Sequence, residues 1–154
     1  MRNGRSDLLT FDLGSQRCAV ALADVVEVVR MVAMAHLPGA PALVEGMINL
    51  RGRVVPVLDL RARFGLGTKA IELSDHLIIA RARSRLVAIR VDGARALVTV
   101  GAGDIEAAES TGAAVAGVAK LPDGLVLIHD LATFLSAAEG ERLDAAVGAA
   151  GHGR

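Results

Sequence analysis

The chain has 154 residues, about the length of one domain, and 53% of them are apolar, so it can bury a dense core and is not a disordered segment. Seventeen basic residues balance seventeen acidic ones, which leaves no whole-molecule field to draw it to nucleic acid or to an acidic membrane. With three Phe, no Trp or Tyr and a single cysteine, it lacks the stacking platforms of a single-strand binder, and it can form neither an intramolecular disulfide nor a cysteine metal site.

The N-terminal "MRNGRSDLLTF" has no apolar stretch of the kind a secretory signal carries, and no apolar run nears the roughly 18 residues of a membrane helix; the expectation is a cytosolic protein. "LLTFDL", a "GSQ" turn and "RCAVAL" predict a β-hairpin, with Cys18 as a small buried core residue. "ADVVEVV" is strand-like, with Glu27 alone among its valines, and "HLPGAPAL" is a loop. "GMINL" and "RVVPVLDL" flank Arg51-Gly52 as a second hairpin, Gly52 supplying the positive φ of a tight turn. Pro56 cannot donate to a ladder, which predicts an edge or bulged strand there. "LRARFGLG" fits one or two helical turns with a glycine stop.

The second half repeats this plan. "DHLIIARARSRLVAIRVDG" predicts a hairpin turning near Arg83-Ser84, and "ALVTV" and the polar "GAGDIEAAESTG" follow. "AAVAGVAKL", a "PDG" turn and "LVLIHDL" come next. One ungapped slide places Gly46 on Gly117, Leu50 on Leu121, Val55 on Val126, Asp59 on Asp130 and Leu60 on Leu131. A slide two residues shorter places Ser15 on Ser84, Ala19 on Ala88 and Val20 on Ile89. The turns fall in register too. The pattern predicts two copies of a β unit of roughly 60–70 residues, each closed or nearly closed. The division expected is residues 7–140 as one domain, 7–70 and 71–140 as its subdomains with strand exchange open between them, and a disordered, low-complexity tail over 145–154.

Catalytic and metal-binding patterns are missing. "GLGTK" has the wrong residue order for a phosphate loop and reads as a loop. The four histidines are scattered, no cofactor is expected, and His129, whose counterpart is Leu58, reads as a structural histidine at a strand end. Asp59 and Asp130 stand at matching strand-to-helix junctions, where each can cap the turn that follows. Arg51 at a turn tip beside Arg53 has two readings: a solubilising turn residue, or a fork placed for a carboxylate of another protein. The arginines from Arg81 to Arg95 leave a nucleic-acid-binding small barrel as a remote alternative, against which charge balance and aromatic content both argue.

"LPGAPALVEGMINLRGRVVPVLDLRARFGL", with "ADVVEVVR" before it and "AIRVDGARALV" after, resembles the signature of CheW-like domains, adaptors of bacterial chemosensory arrays. The resemblance runs from about Leu9 to Leu135. It implies a mainly β fold of two SH3-like five-stranded β-barrels with a few short helices, and a scaffold role in two-component chemotaxis signal transduction without catalysis. The partners it implies are chemoreceptor cytoplasmic tips and the regulatory domain of a CheA-type histidine kinase, in arrays at the membrane, without insertion into it. With no room left for phosphotransfer, ATPase or receiver domains, a stand-alone adaptor is expected. An adaptor of another chemosensory output, such as pilus motility or surface sensing, is the alternative within the family. By motif position the resemblance places Val25 and Glu27 at receptor or kinase contacts, Arg51 at receptor coupling, and Asp92, Gly93, Ala94 and Leu97 near a receptor groove between the barrels. Ala94 and Ala88 stand where the family often has a larger apolar residue and a glycine.

Overall fold

The computed structural model describes residues 4–63, 65–67, 69–107 and 115–152. In chain order the strands are β1 (Arg5–Leu13), β2 (Gln16–Ala21), β3 (Val25–Arg30), β4 (Val44–Leu50), β5 (Arg53–Leu58), β6 (His76–Ala82), β7 (Arg85–Val91), β8 (Gly93–Gly101), β9 (Ile105–Ala107), β10 (Val115–Leu121) and β11 (Gly124–His129). The helices are α1 (Leu60–Arg63) and α2 (Ala137–His152). The strands form two sheets, ordered β8-β1-β2-β11-β10-β9 and β3-β6-β7-β5-β4.

Each sheet closes through one bent strand. β8 and β9 stand on opposite edges of the first sheet yet are joined by a single 3-10 turn at Ala102–Asp104. In the second sheet β3 lies on one edge, and a few residues later Ala35 pairs with Met47 of β4 on the other. Counting each bent strand once, both are five-stranded SH3-like barrels, here called the A barrel (β1, β2, β8–β11) and the B barrel (β3–β7).

The repeated glycines sit where the bent strand meets its neighbour. A Cβ on Gly46 would stand 2.6 Å from the Ala35 carbonyl oxygen, and one on Gly117 would stand 2.7 Å from that of Glu106. Both follow a bulge, at Glu45 and at Ala116. Only glycine admits another backbone so close.

A cut near residue 70 does not separate the barrels, which corrects the expected subdomain limits of 7–70 and 71–140. The β1–β2 hairpin of the first half pairs with β8 and β11, and the β6–β7 hairpin of the second half pairs with β3 and β5. β1, β5, β6 and β7 therefore bury residues on both faces, which is why they read as continuous apolar runs. Leu8, Ala19, Val126 and Ile128 fill the A barrel, and Ile48, Val55, Leu77 and Ala88 fill the B barrel. Leu9, Phe11, Val20, Leu58, Ile78, Ile89 and Phe134 belong to a larger core between the barrels.

Three local expectations change. β5 is not an edge strand, but its ladder to β7 starts only at Val57, so Pro56 has no bond to supply on that side. The tail expected to be disordered from 145 is helical as far as His152; residues 153–154 lie outside the described residues, as do Phe64, Thr68 and 108–114 of the segments read above as helical turn, loop and polar stretch. The physical reason is a stripe hidden in an Ala/Gly-rich composition. Leu143, Ala146, Val147 and Ala150 fall on one helical face and pack on the central core. Ser136 and Glu139 exchange side-chain-to-backbone bonds as a capping box, and Arg85 donates to Asp144 at 2.8 Å.

Candidate functional site: the barrel seam and the groove edge

Arg51 and Gly52 both have positive φ, 50° and 90°, the requirement of the tightest two-residue hairpin turn. The Gly52 amide donates to the Asn49 side chain at 2.7 Å, which fixes the turn from below. Arg51 is 69% exposed, but its guanidinium is already engaged: it donates to the Glu27 carboxylate on β3. The Arg51 fork expected to stand free for a partner is thus one half of an intramolecular ion pair. Twenty-four residues separate the two in sequence; curling of the second sheet, with β3 on one edge and β4 on the other, brings them together. A pair this exposed contributes about 0–1 kcal/mol to folding. What it offers instead is a preset arrangement of one cation and one anion on the barrel rim.

Val25 is half-buried against the central core, and a bulge at Val26 separates it from Glu27. The bulge turns Val26 outward and aims Glu27 at the turn carrying Arg51.

Asp92 occupies the crossing from β7 of the B barrel to β8 of the A barrel. Its carboxylate accepts from the Gly14 amide and from Arg61 at 2.9 and 3.1 Å, with Lys69 at 3.6 Å, while its own amide donates to the Asp12 carbonyl. Burial alone would raise its pKa; the Gly14 amide, Arg61 and Lys69 outweigh that and hold it below the usual carboxylate value. Asp92 therefore joins the barrels, and its carboxylate is spoken for within the chain. Gly93 and Ala94 start β8 opposite Asp12 and Phe11. Leu97 stands directly opposite Leu9, a central-core residue, and so lies on the face of the sheet that carries Leu9. It is nevertheless 64% exposed, an apolar side chain open to solvent. Ala88, by contrast, is fully buried inside the B barrel and lines no groove.

Asp59 accepts from the Ala62 amide at the start of α1, and Asp130 from the Ala132 amide at 3.0 Å. His129 is buried against Phe11, their rings stacked with centroids 6.1 Å apart, and burial lowers its pKa to about 4, so it is neutral. Burial likewise pushes the Cys18 thiol up to about 12, which makes it an inert core residue.

The arginines from Arg81 to Arg95 do not make a free basic face. Arg83 donates to the Ala132 carbonyl, Arg85 to Asp144, and Arg95 to both oxygens of Asp12. Arg90 is buried, and its guanidinium meets Glu45, Asp75 and the Lys69 carbonyl at 2.8–3.1 Å. Asp75 also takes a bond from Lys69 at 2.7 Å. Burial would raise the Asp75 pKa, but Lys69, the Glu72 amide and Arg90 together keep it low. Sequence reasoning missed this plug. The one available signal was an arginine set among valines and isoleucines with no polar neighbour in "LVAIRV".

The family model described as "CheW-like domain" matches residues 7–139. "Chemotaxis protein CheW" of Rhizobium meliloti is 35% identical over 106 residues, covering 69% of this chain and 68% of that protein. "Chemotaxis protein CheW" of Treponema pallidum is 26% identical, covering 88% of this chain and 85% of that protein. Among solved structures, the scaffolding protein TtCheW from Thermoanaerobacter tengcongensis superposes with a TM-score of 0.79 at 28% identity, over 87% of this chain and 94% of that one. The overall fold of two SH3-like barrels is thus shared with a scaffolding protein of known structure, and the chain belongs to the CheW-like domain family.

Proposed function

We propose that this chain is the adaptor that joins the cytoplasmic tips of chemoreceptors to the regulatory domain of a CheA-type histidine kinase. It works without catalysis: it holds two partners at a fixed geometry so that receptor state reaches the kinase. The observation that carries this reading is the match to CheW-like domains over residues 7–139, in a chain whose two barrels share a buried core. Two features of the chain fit partner contact. The Glu27–Arg51 pair lies on the B-barrel rim, and Leu97 stands exposed on β8. Interfaces of this kind draw strength from a few anchors and from many copies acting together in an array. No helix among the described residues is long and apolar enough to cross a membrane, and in this reading the chain reaches the membrane-associated array through its partners. Which output the array drives is set by the kinase it captures.

The test is co-sedimentation of the purified chain with receptor signalling fragments and the kinase of the same genome, using wild type, Arg51→Glu and Arg51→Ala. Kinase pelleting only when the chain is present, and falling with both variants, is the expected result. Wild-type chain that is folded yet brings down neither partner sinks the assignment.

A further inference from the structure

β8 carries one residue more than the strand it pairs with. Leu9 stands opposite Leu97 and Phe11 opposite Ala94, so Thr10 alone faces both Arg95 and Ala96. A bulge of this kind removes backbone groups from the ladder, and buried ones need another partner. Thr10 supplies it. Its side chain points into the A barrel, since it pairs with Ala19 of that core, and it is 2% exposed. The hydroxyl accepts from the Ala96 amide and donates to the Ala96 carbonyl, each at 3.1 Å. A hydroxyl is the smallest side-chain group that both donates and accepts. Just before it, Arg95 is tied to both oxygens of Asp12 at 2.8 Å.

The register depends on this bulge. A slip of one residue along β8 would move Leu97 to the opposite face, from an exposed position into the barrel. We propose that Thr10 is a positioning residue for the partner surface: its hydroxyl fixes the bulge at Arg95–Ala96 and so holds Leu97 out at its exposed position, where the receptor tip docks. The proposal rests on the adaptor reading and assigns a role to a buried residue that touches no partner.

The experiment is a double-mutant cycle on the binding of a receptor signalling fragment, combined with hydrogen exchange at the Ala96 amide. Thr10→Val removes the hydroxyl and keeps the shape; it weakens binding about tenfold and speeds exchange at Ala96. Thr10→Ser restores the hydroxyl and binds within about twofold of wild type, and in a Leu97→Ala background Thr10→Val costs no more than about a further twofold. Thr10→Ala carries the same expectation as Thr10→Val should the valine be poorly accommodated. Unchanged affinity in the folded hydroxyl-free variants, or losses that simply add to that of Leu97→Ala, overturns the proposal while the adaptor reading stands. A wild-type chain that binds no receptor fragment overturns both.

Discussion

In the B barrel, Arg90 projects from a position paired with Leu77, and its guanidinium stops the barrel end against Asp75 and Glu45. In the A barrel the position paired with Leu8 is Ala21. The counterparts of Glu45 and Asp75 are Ala116, at the matching bulge, and Ser6, two residues before Leu8. Where one barrel is closed by a buried arginine and two carboxylates, the other has a cleft of about 420 Å³ lined by Arg5, Ser6, Asp7, Ala21, Leu22 and Ala23. The repeat thus retains what the backbone geometry demands, the two glycines under a crossing strand and the two capping aspartates. It diverges where side chains alone decide how a barrel ends.

Removing the plug gives the largest expected effect. Arg90→Ala leaves Glu45 without the guanidinium it accepts from and Asp75 with Lys69 alone as a cation, and should cost about 3–5 kcal/mol in urea unfolding. A loss below about 1 kcal/mol would equate the plug with a surface ion pair and erase the contrast between the barrel ends.

His129 and Leu58 occupy the same register position in the two barrels, opposite Val115 and Val44. The folded-state pKa of His129 is about 4 against an ordinary 6.5. Between those values the unfolded chain binds a proton that the folded chain refuses, so stability is full above pH 6.5 and is lost as pH falls toward 4. The span corresponds to roughly 3 kcal/mol. His129→Leu should remove that slope from thermal melts taken between the two pH values; an unaltered slope would place its origin elsewhere.

The shared glycines sharpen the likeness. Gly46→Ala and Gly117→Ala each force a Cβ onto a carbonyl oxygen and should destabilise by about 1–3 kcal/mol apiece. Markedly unequal losses would mean that the two crossings are not mechanically equivalent. The smallest stability effect belongs to the unlike turns, Arg51-Gly52 in one barrel and Pro122-Asp123 in the other. Arg51→Ala should change folding stability by under about 1 kcal/mol while lowering kinase capture. A large stability loss would return Arg51 to a purely structural role.

Much of this was legible along the chain. The hairpins showed because turn residues interrupt apolar runs at regular spacing, and the double-barrel plan showed because Gly46 and Gly117 mark the same close approach twice. The turn at Arg51 was visible, as was its place in the family's motif. Its partner was not: Glu27 reaches it only after the sheet curls. Thr10 read as one more strand residue, since nothing nearby announces a bulge in a strand more than eighty residues away. The tail misread as disordered shows the same limit from the other side, because its stripe of small apolar residues has meaning only when a core is there to receive it.

Local rules of alternation, turn chemistry and glycine spacing act within a few residues, and they determined the elements, their repetition and the family. Which hairpin joins which barrel, that Arg90 is a buried plug rather than part of a basic face, and that Asp92 binds the barrels together were decided by packing. Each of these depends on groups that meet only when the sheets have curled and packed together, and free energy of that kind belongs to the assembled core and to no single stretch of chain.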